Sequence, residues 1–136
     1  LSARRLVVHV DGGARGNPGP AAIAAVVADP DGELVEERSE SIGRATNNVA
    51  EYRALLLGIE RARALGATEV ELVGDSELIV RQVRGEYRVK DSNLRGLHSQ
   101  VRDALAGFDG WAIRHVRREA NERADGLVNE ELDGAG

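Results

Sequence analysis

The sequence lacks cysteine altogether, which excludes disulfides and thiol chemistry. No apolar run approaches the length of a membrane span, and no charged-then-apolar leader precedes the first polar segment. No membrane partner is therefore expected, and a cytoplasmic location is. There is no internal repeat and no low-complexity segment. Nor is there a basic excess: the formal net charge is −5, which weighs mildly against nucleic-acid binding by the surface as a whole.

The distribution of charge matters more than its sum. Six basic residues stand against two acidic ones between Arg81 and Arg102, and four arginines against two glutamates between Arg114 and Arg123. The acidic excess lies elsewhere, in Glu33 to Glu40 and Glu130 to Asp133. Local basic patches are compatible with that arrangement, although a solvated helix face is the commoner cause. With 136 residues, the chain is long enough for one domain with a proper core. A single domain over 1–136 is expected, as a monomer, with residues 133–136 a flexible tail or linker.

The most informative stretch runs from Leu6 to Pro20. Leu6 to Val10 is a β-branched run suited to a buried strand, and Asp11 is expected at its end. Glycines at 12, 13, 16 and 19 and prolines at 18 and 20 then suggest a tight loop. That loop lacks the Lys-Ser/Thr ending of a P-loop, and Gly-Asn-Pro-Gly-Pro cannot open a helix as a dinucleotide fingerprint must.

Ala21 to Ala28 predicts a second strand, and Asp31-Gly32 predicts a hairpin into a polar edge strand over 33–41. Thr46-Asn47-Asn48 signals a helix start, and Gly66 ends the helix after Leu65. Val70 to Gly74 reads as a strand ending at Asp75, followed by a short helix over 76–84. A helix over 93–106, a strand over 111–116 and a helix over 121–132 complete the chain. This βββ-α-β-α-α-β-α pattern demands a mixed sheet with helices on its faces. The alternation of the fifth strand suggests a packed His115, and His9 is expected to be half-buried.

Four carboxylates stand out, each with an ordinary explanation. Asp11 could be turn chemistry. Glu51 fits a capping box with Asn48. Asp75 ends a strand as Asp11 does, and Asp125 suits the positive end of the last helix. If the two strands are parallel neighbours, however, Asp11 and Asp75 come within reach of one ion, since strands lie about 4.8 Å apart. Like charges gathered at one end of a sheet become tolerable with divalent cations, and oxygen ligands suit Mg2+ or Mn2+.

Taken in order, Val10-Asp11-Gly12-Gly13 with Gly16-Asn17-Pro18-Gly19-Pro20, Thr46-Asn47-Asn48 with Glu51, Gly74-Asp75-Ser76, and Asn121-Glu122 with Ala124-Asp125 resemble the four signature blocks of type 1 ribonuclease H. They span nearly the whole chain. The resemblance implies an α/β fold: a five-stranded mixed sheet, three antiparallel strands then two parallel, with helices on both faces. It implies an endonuclease that cuts the RNA strand of RNA–DNA hybrids, leaving 5′-phosphate and 3′-hydroxyl ends. Asp11, Glu51, Asp75 and Asp125 would hold two Mg2+ ions, with Mn2+ as the alternative. One ion would activate water and the other would stabilise the leaving oxygen. Gly12, Asn17, Asn47 and Asn48 would contact the RNA strand, and Thr46 a phosphate of the DNA strand.

The chain departs from many members at three places. Glu77 stands where a glutamine is common. Only Gly85 to Lys90 fills the place of a Trp-bearing basic protrusion, which implies weaker hybrid binding and leaves double-stranded RNA as an alternative substrate. The segment Arg117 to Asn121 is too short for a mobile loop and carries no histidine, leaving Arg117 or Arg118 to assist. A binding module that grips hybrids without cutting is the non-enzymatic alternative, and four clustered carboxylates argue against it.

Overall fold

A computed structural model describes residues 3–135. The strands are β1 (Arg5–Ala14), β2 (Gly19–Ala28), β3 (Leu34–Ala45), β4 (Glu69–Gly74) and β5 (Gly110–His115). The helices are α1 (Asn47–Ala64), α2 (Glu77–Arg84), α3 (Ser92–Leu105) and α4 (Glu122–Ala135), with a 3-10 turn at Arg118–Ala120. One sheet holds all five strands in the order β3-β2-β1-β4-β5. β2 is antiparallel to β1 and β3, whereas β1, β4 and β5 are mutually parallel. The mixed sheet inferred from the pattern is present.

β2 shows why its sequence is apolar throughout rather than alternating. Ala21, Ile23, Ala25 and Val27 join the core beneath α1, while Ala22, Ala24 and Val26 pack against Ala124, Leu127, Val128 and Leu132 of α4. A strand covered on both faces needs apolar residues at every position. The alanines leave room for both helices. β3, by contrast, is the polar edge, longer than expected and broken by two register shifts against β2.

β1 differs from expectation at its end. Asp11, Gly12, Gly13 and Ala14 continue the strand, paired with Ala24, Ile23, Ala22 and Ala21. Asp11 therefore does not end the strand; it lies just beyond the last β1–β4 pair, His9 with Val73. The glycines here serve close packing rather than a turn: a Cβ on Gly12 would overlap the Ala50 carbonyl of α1. The turn proper comes later, with Gly16 at φ 94° and the Arg15 N–H donating to Pro20 O at 2.8 Å.

α1 is capped by Thr46, whose Oγ1 accepts from the Val49 N–H at 3.2 Å. The capping box from Asn48 to Glu51, the ordinary alternative for that carboxylate, is not formed among the described residues. With the hydroxyl of Thr46 already supplying the cap, Glu51 is free to turn toward the sheet. The expected tail also differs: α4 continues through Ala135, and residue 136 lies outside the described residues. His115 is exposed rather than packed, because the helical layer covers β5 at Ile113 but not at its end. His9 is half-buried, as expected.

Candidate active site

The parallel register of β1 and β4 fixes the first two carboxylates. Pairs run from Arg5 with Glu69 to His9 with Val73, so Asp11 and Asp75 stand two steps further along neighbouring strands. Beyond Val73 the strands separate, and Asp75 leads directly into the Ser76 cap of α2, where Oγ accepts from the Ile79 N–H at 3.4 Å. The third carboxylate arrives on α1. The close approach of Gly12 to Ala50 and the Glu51 N–H brings the first turn of α1 against β1. Carboxylate oxygens of Asp11, Glu51 and Asp75 all lie within 4.8 Å of one another.

Asp125, in the first turn of α4, lines the same cleft and adds its charge to that felt by Asp11. It stands beside the tight triplet rather than within it. Asn129, one turn further along α4, donates from Nδ2 to Asp125 Oδ2 at 3.4 Å. Sequence reasoning missed this partner, although its i,i+4 spacing was the available signal.

Crowding has an electrostatic cost. Burial raises the Asp11 pKa from 3.8 to about 7, reinforced by the charges of Asp75 and Asp125 and opposed by the Gly12 N–H. Glu51 is also raised well above its ordinary value, by burial first and then by Asp11 and Asp75. A hard divalent cation relieves both effects, since it replaces lost hydration and cancels the repulsion. The donor set is oxygen only, with no sulfur and no imidazole. Asp11, Glu51 and Asp75 fit Mg2+ or a similar ion.

The cleft measures about 410 Å³. Gly12, Asn47, Asn48 and Arg118 line it, whereas Asn17, Thr46 and Arg117 do not. Asn17 and Thr46 instead support the cleft from behind. Asn17 Oδ1 accepts from the Asn47 N–H at 3.0 Å, and Asn47 Oδ1 accepts from the Ala14 N–H at 2.9 Å. These bonds lock the turn after β1 to the start of α1. They also engage the oxygen of each amide, leaving the NH2 groups as the free hydrogen-bonding ends. Asn48 borders a second groove as well, shared with Gln82, Tyr87, Arg88 and Lys90.

Other features carry less. Asp29, Asp31 and Glu33 also cluster, but they sit on the exposed β2–β3 hairpin, where acidic residues are ordinary turn formers. A cavity of about 440 Å³ over His9, Glu71 and Arg114 gathers no comparable set of ligands. No helix among the described residues is long and apolar enough to cross a membrane.

Comparison with known proteins agrees with this fold. A family profile described as reverse transcriptase-like matches residues 9–131. Ribonuclease HI of Halobacterium salinarum is 48% identical over 96% of this chain, which spans 66% of that protein. Its crystal structure, described as RNase H1, superposes with a TM-score of 0.94, covering 96% of this chain and 98% of that one. A bifunctional protein of Mycobacterium tuberculosis is 44% identical over 96% of this chain, which spans 36% of its length. LC11-RNase H1, solved in complex with an RNA/DNA hybrid, is 43% identical, with a TM-score of 0.91 over 96% of this chain and 98% of its own. The chain thus spans about two thirds, or about one third, of the curated relatives it matches.

Proposed function

Because this chain belongs to the type 1 ribonuclease H family, we propose that it is a metal-dependent endonuclease hydrolysing the RNA strand of RNA–DNA hybrids. The observation that carries the reading is the convergence of Asp11, Glu51 and Asp75 oxygens within 4.8 Å at the floor of an open cleft. Burial and mutual repulsion raise the pKa of Asp11 and Glu51, and a bound cation would relieve both.

Asp11, Glu51 and Asp75 would hold Mg2+ or Mn2+, with Asp125 completing a site for two ions. When bound, such ions supply Lewis acidity at the scissile phosphate and lower the pKa of water. The protein does the rest. Asn47 and Asn48 present NH2 donors that a ribose 2′-hydroxyl can accept, which separates RNA from DNA. Gly12 contributes through its backbone, since no side chain fits there. Asn17 holds Asn47 in place, and the Thr46 hydroxyl, whose oxygen serves the cap, keeps its proton for a phosphate of the DNA strand. The groove past Asn48, with Tyr87, Arg88 and Lys90, extends the cleft in a direction a duplex could follow. Hydrolysis adds the water oxygen to phosphorus and breaks the bond to O3′, giving 5′-phosphate and 3′-hydroxyl ends.

The test is digestion of end-labelled hybrid, RNA duplex and DNA duplex with Mg2+, Mn2+ or chelator, followed by identification of the product ends. Cleavage of the hybrid's RNA strand with either ion, and none with chelator, is expected. Asp11→Asn and Asp75→Asn should abolish it in folded protein. Hybrid binding without any metal-dependent product would instead make this a non-catalytic module.

A further inference from the structure

Asn121 is one of only three buried polar or charged residues among those described, with 2% of its surface exposed. Its Nδ2 donates to Val10 O at 2.9 Å, a contact spanning 111 residues of sequence. Its own carbonyl accepts the Asp125 N–H at 3.1 Å, a bond that opens α4. One residue thus grips β1 immediately before Asp11 and α4 at the backbone of Asp125. A direct side-chain contact between Asp11 and Asp125 joins the same two elements, and Asn121 holds the backbone on either side of it.

The amide's effect on stability is two-sided: it pairs the Val10 carbonyl and leaves its own oxygen without a partner among the described residues. An unpaired amide oxygen in the core is unfavourable, and it is tolerated here in exchange for the bond to the Val10 carbonyl. The side chain does not cap α4, since it is turned toward the strand. An apolar residue there would remove the orphaned oxygen but leave the Val10 carbonyl without this donor. What only the amide supplies is a donor reaching the carbonyl that β1 presents where β4 departs.

We propose that Asn121 is a positioning residue: a strut that fixes Asp125 relative to Asp11, so that a cation finds its carboxylate ligands already set. The functional consequence rests on the nuclease reading above, but the strut itself can be tested in metal-free protein. Holding ligands in place through neighbours is worth about 10–100-fold in metal affinity where it has been removed.

Asn121→Leu keeps the branched shape with somewhat more bulk, and it removes both the orphaned acceptor and the donor to the Val10 carbonyl. Asn121→Ala removes the side chain. Leu127→Ala, on the buried face of the same helix, is the control: it opens a cavity without touching the strut. In metal-free protein, both Asn121 variants should accelerate amide exchange at Asp125. Their Mn2+ affinity, read by electron paramagnetic resonance without substrate, should fall about tenfold or more. Turnover should fall with it while KM for hybrid stays within about twofold. Leu127→Ala should lower Tm yet keep Mn2+ affinity. A folded Asn121→Leu with unchanged exchange and unchanged Mn2+ affinity overturns the proposal, as does an equal loss in Leu127→Ala. If Asn121→Ala does not fold, Asn121→Leu alone decides. A wild-type protein that binds no Mn2+ refutes the nuclease reading instead, leaving the exchange data to judge the strut.

Discussion

Gly12 lies against the backbone of Ala50 so closely that a methyl group on its Cα would overlap the Ala50 carbonyl. This contact sets how far Glu51 stands from Asp11, because the two pairs are adjacent in sequence. Gly12→Ala must push α1 away from β1 or bend one of them. Overpacking of this kind costs about 1–3 kcal/mol. The displacement also moves a carboxylate, so cleavage should fall further than stability. Thermal unfolding and hybrid cleavage measured on the same preparation check this; loss of both in proportion would point to unfolding alone.

The raised pKa of Asp11 makes the stability of metal-free protein depend on pH with a definite sign. Its value of about 7 when folded, against 3.8 ordinarily, means the folded chain keeps a proton that the unfolded chain has released. Stability from this group is complete below pH 3.8 and is lost as the pH rises through about 7. Glu51 acts in the same direction. Glu36 and Glu37 oppose it, since Arg61 and Arg123 lower their pKa values and their contribution is lost toward acid. Metal-free Tm should therefore peak at mildly acidic pH and decline toward neutrality. Added Mg2+ should flatten the neutral limb, and Asp11→Asn should flatten it without metal.

Much of this site was legible from residue type and order. Strand, carboxylate, helix and carboxylate recur in a pattern that only a mixed sheet can close, and that pattern located Asp11 and Asp75. Short-range rules misjudged what tertiary contacts decide. Gly12 and Gly13 read as a turn because their packing partner, Ala50, is far along the chain. For Glu51 the local spacing alone offered a capping box with Asn48, whereas the helix is capped by Thr46 and the ligand role came only from the resemblance. Asn121 read as a helix start and as part of the last signature block, but its contact was not legible, since Val10, the residue it holds, is 111 positions away. No local signal carries such a contact.

Tyr52 shows a second buried polar link, beneath the groove that Asn48 and Gln82 line. Its hydroxyl donates to Gln82 Oε1 at 2.6 Å, joining α1 to α2 in the core, and burial pushes its own pKa to about 12. Gln82 is itself only 5% exposed, and its backbone carbonyl lies 2.9 Å from His98 Nε2. Tyr52→Phe leaves the Gln82 oxygen without a donor inside the protein, a loss of about 1–3 kcal/mol. Denaturant titration should show that loss, and hybrid cleavage well below Tm should be unchanged. Tyr52→Phe combined with Gln82→Leu should recover part of the stability, because the orphaned group is then gone.

Arg118 and Arg117 are neighbours in sequence but not in role. Arg118 lines the cleft with Asp75 and Asp125, and Arg117 does not. A guanidinium keeps its proton throughout the neutral range, so Arg118 cannot shuttle protons as a histidine would. What it can do is place fixed positive charge near a phosphate or a departing oxygen. Removing one such group commonly costs about 10²–10³ in turnover. Arg118→Ala should therefore lower kcat strongly, Arg118→Lys less, and Arg117→Ala little. The shape of the pH–rate profile should be the same in all three. A shifted acid or base limb in Arg118→Ala would mean that the residue acts on a titrating group, and a full loss in Arg117→Ala would place the catalytic charge on the other arginine.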